Sequence, residues 1–162
     1  MSFLEEIFIR DVQVSDHIII FKWENDPENW VVSERDKVYT FEEIQALIAS
    51  ASDFKESNQK RWMISKQDNQ VIGTIDVFQG GFKKGQVGIG ILIAEEENRE
   101  KGFAKQAVFQ AINKCIVDFS INTFYADVHV SNQASIALFI KCGFEPLHQV
   151  DDNSNFDSQN ST

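Results

Sequence analysis

The chain has little of what staples, anchors or exports a protein. Its 162 residues include only two cysteines and two prolines. Cys115 and Cys142 both fall in helical patterns and lack zinc-ligand spacing. This excludes a disulfide framework or a cysteine metal site and reads as two reduced, buried thiols in a cytoplasmic protein. No apolar run approaches the roughly 20 residues that a membrane helix needs. Met1 to Arg10 lacks the basic start and long apolar core of a signal peptide. Positive charge is scarce as well, with 15 Lys and Arg against 25 Asp and Glu and a net charge of -10. Such a surface repels nucleic acid and concentrates small cations, while also serving plain solubility.

What is present suffices for one core. With 43% hydrophobic residues, a chain of this length buries roughly two-thirds of its unfolded surface without metals or disulfides. Residues 1–150 are expected to form one domain, and the polar stretch 151–162 a disordered tail.

Hydrophobic spacing sets out the elements. Glu6 to Val12 alternates as a strand with Ile7 and Ile9 on one face, and Ser15 is the expected cap of a helix ending near Asn25-Asp26-Pro27. Thr40 and Glu43 have capping-box spacing ahead of the stripe Ile44, Leu47 and Ile48, and this helix fades into the polar 50–58 region. Arg61–Ser65, Val71–Phe78 and Gln86–Ile93 read as three antiparallel strands joined by Gln67–Gln70 and Gly80–Gly85 turns. Phe103–Phe119 has helical spacing, Asn122–Val130 returns to strand, and Gln133–Lys141 is a helix stopped by Gly143. Phe144–Val150 is a candidate closing strand. The order predicts an α/β (α+β) fold: a mixed, mostly antiparallel central sheet flanked by helices on both faces.

The most informative run is Ile91 to Ala104. An apolar strand passes through Glu95-Glu96-Glu97-Asn98-Arg99-Glu100-Lys101-Gly102 into the helix that starts at Phe103. Such a junction aims unpaired backbone N–H groups and the positive end of the helix dipole at one point, where a phosphate fits. The N–H groups of Glu100 to Ala104 supply donors, Arg99 or Lys101 supplies charge, and Gly102 permits close approach.

Together with the meander before it and the distal Asn132-Gln-Ala-Ser-Ile-Ala-Leu-Phe-Ile-Lys-Cys-Gly-Phe144 segment, this Arg-x-x-Gly-x-Ala loop resembles the GCN5-related N-acetyltransferase (GNAT) superfamily. The resemblance covers about residues 6–150. Trp23-Glu-Asn-Asp-Pro27 and Gly90-Ile-Leu-Ile93 look most like the branch that includes ribosomal-protein-alanine and polyamine acetyltransferases. It implies acetyl-coenzyme A as co-substrate, with its pyrophosphate on the residue 99–104 loop and its pantetheine arm paired to Ile93, Ala94 and Glu95 like an added strand. A backbone N–H near Ile93 would hold the thioester oxygen. Asn132 either caps its helix or reaches the pantetheine arm.

The acceptor side is less explicit. Asp76 is a charge within an apolar strand and is read as a base or amine anchor, or as a solvent-facing residue. Glu24 with Trp23 and Trp30 could wall a cationic acceptor, although each of these is more often surface or core, and His129 reads as structural. Two departures from the family pattern stand out. Phe139 occupies the place where relatives often carry a proton-donating tyrosine, and the strand before the loop has no glutamate. The expected function is direct acetyl transfer to a primary amine of a small, polyamine-like molecule or of a protein N-terminus. A noncatalytic acyl-coenzyme A sensor is the alternative. No metal, nucleic acid or membrane is implied, and an unfinished sheet edge would allow a homodimer.

Overall fold

In a computed structural model of the chain, the residues described are 4–29, 38–79 and 85–147. Five strands form one sheet in the order β1 (Ile7–Asp11), β2 (Gln59–Lys66), β3 (Val71–Phe78), β4 (Gln86–Ile93) and β5 (Thr123–Tyr125). The first three pairings are antiparallel and the last is parallel. The helices with both ends among the described residues are α1 (His17–Glu24), α2 (Phe41–Ser50), α3 (Phe54–Ser57), α4 (Phe103–Phe119) and α5 (Gln133–Lys141), and residues 27–29 are helical too.

The alternation of the strands explains why both faces are covered. Ile7, Ile9, Trp62, Ile64, Ile75 and Val87 share a core with Phe103, Ala107, Val108 and Ala111 of α4. Met63 points the other way, into a second cluster with Ile20 and Trp23 of α1 and Ile44 and Ile48 of α2. Each such fully buried aliphatic side chain contributes about 1.5–3 kcal/mol of transfer free energy. A bulge adjusts the pattern: Ile64 pairs with Gly73 but Ser65 with Val71, so Ile72 is an extra residue and Val71 joins the second cluster.

The free edge of β1 is closed by side chains. Gln106 Oε1 accepts from Ile7 N–H at 3.0 Å while its Nε2 donates to Glu5 O at 2.8 Å. One turn later Gln110 does the same for Ile9 N–H at 3.0 Å and Ile7 O at 2.8 Å. Their spacing places both amides on one face of α4.

Several expectations are corrected. Ser15 does not cap α1. A 3₁₀ turn, Val14–Asp16, precedes the helix, and Asp16 Oδ2 accepts from Gln13 N–H at 2.7 Å. The polar 50–58 region holds α3, because Asp53 accepts from Lys55 N–H and caps it. The fifth strand stops at Tyr125, since ladder pairing with β4 ends at Gly88–Tyr125. Ala126 and Val128 still pack on the core, so the alternation from 122 to 130 reports burial rather than strand pairing. His129 therefore lies in a loop, where its Nδ1 accepts from Ser131 N–H at 3.1 Å.

Residues 144–147 are not strand. Phe144 instead closes the end of α5: its N–H donates to Phe139 O at 2.9 Å, Gly143 N–H donates to Ile140 O at 3.0 Å, and Gly143 has φ of 93°. This is a Schellman motif with its apolar contact, the Phe139 and Phe144 rings meeting at 5.1 Å. Trp30, most of the Gly80–Gly85 turn, residues 148–150 and the 151–162 tail lie outside the described residues. Both cysteines are free; burial, then the charge of Asp118, pushes the Cys115 thiol up to about 12.

Candidate active site

The site begins where β4 and β5 part. Ala94 N–H donates to Ile72 O at 3.0 Å. Successive residues of an antiparallel ladder turn their polar groups to opposite sides, so the N–H and C=O of Ile93 point away from β3. On that side β5 pairs only with Gln86–Gly88. From Ile89 onward the edge of β4 has no strand beside it among the described residues, which leaves backbone groups for an extended, amide-bearing ligand. Arg99 reaches back onto this edge, with Nε donating to Ile93 O at 3.1 Å and Nη2 to Ala94 O at 3.4 Å.

The loop that follows is shaped as an anion cradle. After a 3₁₀ turn at Glu96–Asn98, Glu100 has φ of 60° and Gly102 has φ of 81°, bracketing Lys101 with two left-handed residues. Such a sequence turns successive N–H groups toward one concavity. The helical ladder begins with Gln106 N–H on Gly102 O at 3.2 Å, so the N–H groups of Phe103, Ala104 and Lys105 precede it. Gly102, the N-cap, has no side chain to satisfy them. A Cβ built on Gly102 would meet none of the described residues within 4 Å. The space beside Gly102 is therefore open among the described residues, and unpaired N–H groups at a helix start suit an anionic group. Arg99 is engaged with strand carbonyls, so exposed Lys101 is the cation nearest the concavity in sequence. Phe103 is buried and anchors the start of α4 in the core.

On the face of α1 and α2, three charged groups form one unit. Arg61 is only 5% exposed, yet its Nε and Nη2 donate to the two oxygens of Asp76 at 2.7 and 2.9 Å and its Nη1 donates to Glu24 at 3.1 Å. Burial alone would lower the guanidinium pKa; the charge and hydrogen bonds of Asp76, then of Glu24, outweigh it and raise it. Asp76 keeps 34% of its side chain exposed, and with Phe78, Leu47, Ala51 and Lys60 it lines a cleft of about 150 Å³. Trp23 is 3% exposed and stands behind this wall in the core.

Residues 6–145 match the family model described as an acetyltransferase (GNAT) domain. The chain belongs to the GNAT acetyltransferase family. It is 24% identical over 140 residues, 86% of this chain and 76% of the relative, to an uncharacterised N-acetyltransferase, YokL, of the SPbeta prophage of Bacillus subtilis strain 168. Among solved structures it resembles the spermidine N-acetyltransferase of Vibrio cholerae in complex with CoA and spermine, with a TM-score of 0.74, 18% identity, and 85% of this chain and 79% of that one covered. It also resembles the aminoglycoside acetyltransferase AAC(6')-Ib in complex with coenzyme A, with a TM-score of 0.73, 18% identity, and 86% and 84% covered. The five-stranded mixed sheet with helices on both faces is the GNAT fold, and the protein is an acetyl-coenzyme A-dependent N-acetyltransferase.

Within a GNAT site, the remaining residues fall as follows. Asn132 Oδ1 accepts from Ser135 N–H at 3.1 Å and caps α5, so its side-chain amide is the donor that remains for a ligand. Phe139 is 6% exposed and belongs to the core and to the Schellman contact; no hydroxyl stands at that place.

Two residues escaped the sequence reading. Arg61 is the hub that joins Glu24 to Asp76, and its signal was a charge opening the otherwise apolar strand. Tyr125, one of two tyrosines in the chain, faces Phe78 edge-on at 6.2 Å beside Gly88. Burial, then the charge of Asp127, raises its phenol pKa.

Proposed function

We propose that this GNAT protein transfers acetyl directly from acetyl-coenzyme A to a primary amine of a small molecule that carries further positive charge. The observation that carries the donor half is the unpaired edge of β4 running into the 100–102 cradle. In this reading Ile93, Ala94 and Glu95 present backbone groups to the pantetheine arm, and Arg99 fixes that edge. The N–H groups of Glu100, Lys101, Gly102, Phe103 and Ala104 hold the pyrophosphate, and the Asn132 amide reaches the arm. The Ile93 N–H polarises the thioester carbonyl as it becomes an oxyanion, a role set by placement rather than side chain.

The Asp76 carboxylate, one-third exposed at the mouth of the cleft, supports the acceptor half. Both oxygens of Asp76 already accept charge-assisted bonds from Arg61, which favours an ammonium anchor over a base that must take up a proton. The attacking amine first gives its ammonium proton to solvent and then attacks the thioester carbon as the neutral base; the C–S bond breaks, coenzyme A departs as a thiolate, and the proton shed by the nitrogen as the amide forms goes to that thiolate or to water. A thiol pKa near ~8.5 makes it a tolerable leaving group without a protein acid. The same reading takes residues 1–150 as one cytoplasmic domain. It includes a homodimer through the open side of the sheet, which light scattering on the eluting protein checks.

Calorimetry with acetyl-coenzyme A, followed by a thiol-release assay over diamines, polyamines, amino sugars and a peptide N-terminus, tests the proposal. Binding with turnover on a charged small amine is expected. Absence of binding, or binding without turnover on any amine, would overturn it.

A further inference from the structure

Three glycines lie inside β3 and β4, and two of them are demanded by packing. A Cβ on Gly73 would overlap the Leu92 carbonyl oxygen, and one on Gly88 would overlap the Phe78 ring. Gly90 differs. Among the described residues, the nearest atom to a Cβ built there is Phe78 Cε1 at 4.0 Å, an ordinary contact, and its φ lies outside the left-handed region. Neither the backbone nor the described residues require glycine there, although glycine in a strand interior gives up side-chain packing and conformational entropy.

The position of Gly90 gives the reason. Its cross-strand partner is Asp76, and Gly88 pairs with Phe78 one step along. Directly paired residues share a face of the sheet, so Asp76, Phe78, Gly88 and Gly90 lie together on the α1 and α2 side. Gly90 is half-buried. The bare floor at Gly90 thus adjoins the same Asp76 and Phe78 that line the neighbouring cleft.

We infer that Gly90 is the specificity-determining residue of the acceptor site: the carbon framework of the amine crosses the sheet over Gly90 while an ammonium group rests on Asp76. This rests on the acetyl-transfer reading and adds to it a limit on girth. A hydrogen at position 90 admits a ring-bearing amine as readily as a linear one. A methyl group there narrows the passage, and a branched side chain closes it.

The experiment uses the full chain with Gly90→Ala and Gly90→Val, assayed against a linear diamine and an aminocyclitol. Melting temperature and acetyl-coenzyme A affinity are measured beside the kinetics. The melting temperature is expected to hold or rise, because a strand position gains a side chain, and the acetyl-coenzyme A Kd to stay within twofold. The KM for the aminocyclitol is expected to rise tenfold or more in Gly90→Ala. In Gly90→Val the KM for both amines is expected to rise, with kcat changed less. Unchanged KM for both amines in an active Gly90→Val enzyme would overturn the inference and leave acetyl transfer standing. A loss of acetyl-coenzyme A affinity equal to the rise in KM would also overturn it, by placing the donor over Gly90. Failure of the wild-type chain to turn over any amine would instead remove the underlying reading, and the inference with it.

Discussion

Arg61 and Asp76 meet in a two-pronged pair, Nε to Oδ1 at 2.7 Å and Nη2 to Oδ2 at 2.9 Å, with the guanidinium almost fully buried. The third prong, on Glu24, joins the end of α1 to the sheet. Arg61→Gln would leave two carboxylates without their guanidinium. It is expected to cost about 3–5 kcal/mol of stability, the range for breaking a buried ion pair. Arg61→Lys keeps the charge but not the fork and is expected to cost less while still raising the KM for the amine. Urea denaturation and amine titration of both variants check this; a Gln variant as stable as wild type would contradict the arrangement.

Gly102 has φ of 81° with none of the described residues within 4 Å of a built Cβ. Gly102→Ala is therefore expected to cost about 1–2 kcal/mol through the left-handed backbone. Under the proposed reading it should also weaken acetyl-coenzyme A binding tenfold or more, because the methyl group would enter the space given there to the phosphates. Calorimetry separates the two effects. A variant with lowered stability but unchanged acetyl-coenzyme A affinity would show that the concavity does not hold the pyrophosphate.

Asp16 gives the protein an acid-sensitive contact away from the site. Burial alone would raise its carboxyl pKa, but hydrogen bonds from Arg10 and from Gln13 N–H, with the charge of Arg10, hold it below the usual carboxylate range. A folded pKa below the unfolded one means that the unfolded state binds more protons in that window. The stabilisation is complete above about pH 4 and is lost as pH falls through the lower, folded value. Asp16→Asn is expected to lose about 1–3 kcal/mol at pH 7, with the gap to wild type closing toward pH 2 in urea melts.

The Gly88–Phe78 contact predicts a coupled pair. Gly88→Ala is expected to cost about 1–3 kcal/mol by overpacking against the Phe78 ring. The same change in a Phe78→Ala background should cost markedly less, because the overlapped ring is gone. Equal costs in both backgrounds would show that the backbone, and not the ring, sets the need for glycine.

How far the sequence reveals this structure depends on what each signal measures. The ranges of α4 and α5, of β3 and β4, and the reciprocal Thr40–Glu43 cap follow the periodicity and capping chemistry directly. These elements are long or carry a local hydrogen-bond code. Apolar alternation misleads at Ala126, Val128 and Phe144, where burial is present but, among the described residues, no neighbouring strand is. The Arg61 hub was hidden because its partners stand 37 and 15 residues away, on another helix and another strand. The junction from β4 into α4 was legible as a loop that opens a helix at Phe103. Its left-handed residue at Glu100 and the return of Arg99 onto Ile93 were not, since both depend on how β4 parts from β5.

The paired amides of Gln106 and Gln110 carry a consequence for the protein as a material. They occupy the backbone groups that β1 would otherwise offer to any passing strand, so this side of the sheet cannot nucleate cross-chain stacking. Strand addition is left one direction of growth, outward from β5. Loss of both glutamines would turn a sheet that can extend from one side into one that can extend from two, the geometry of an open-ended fibre.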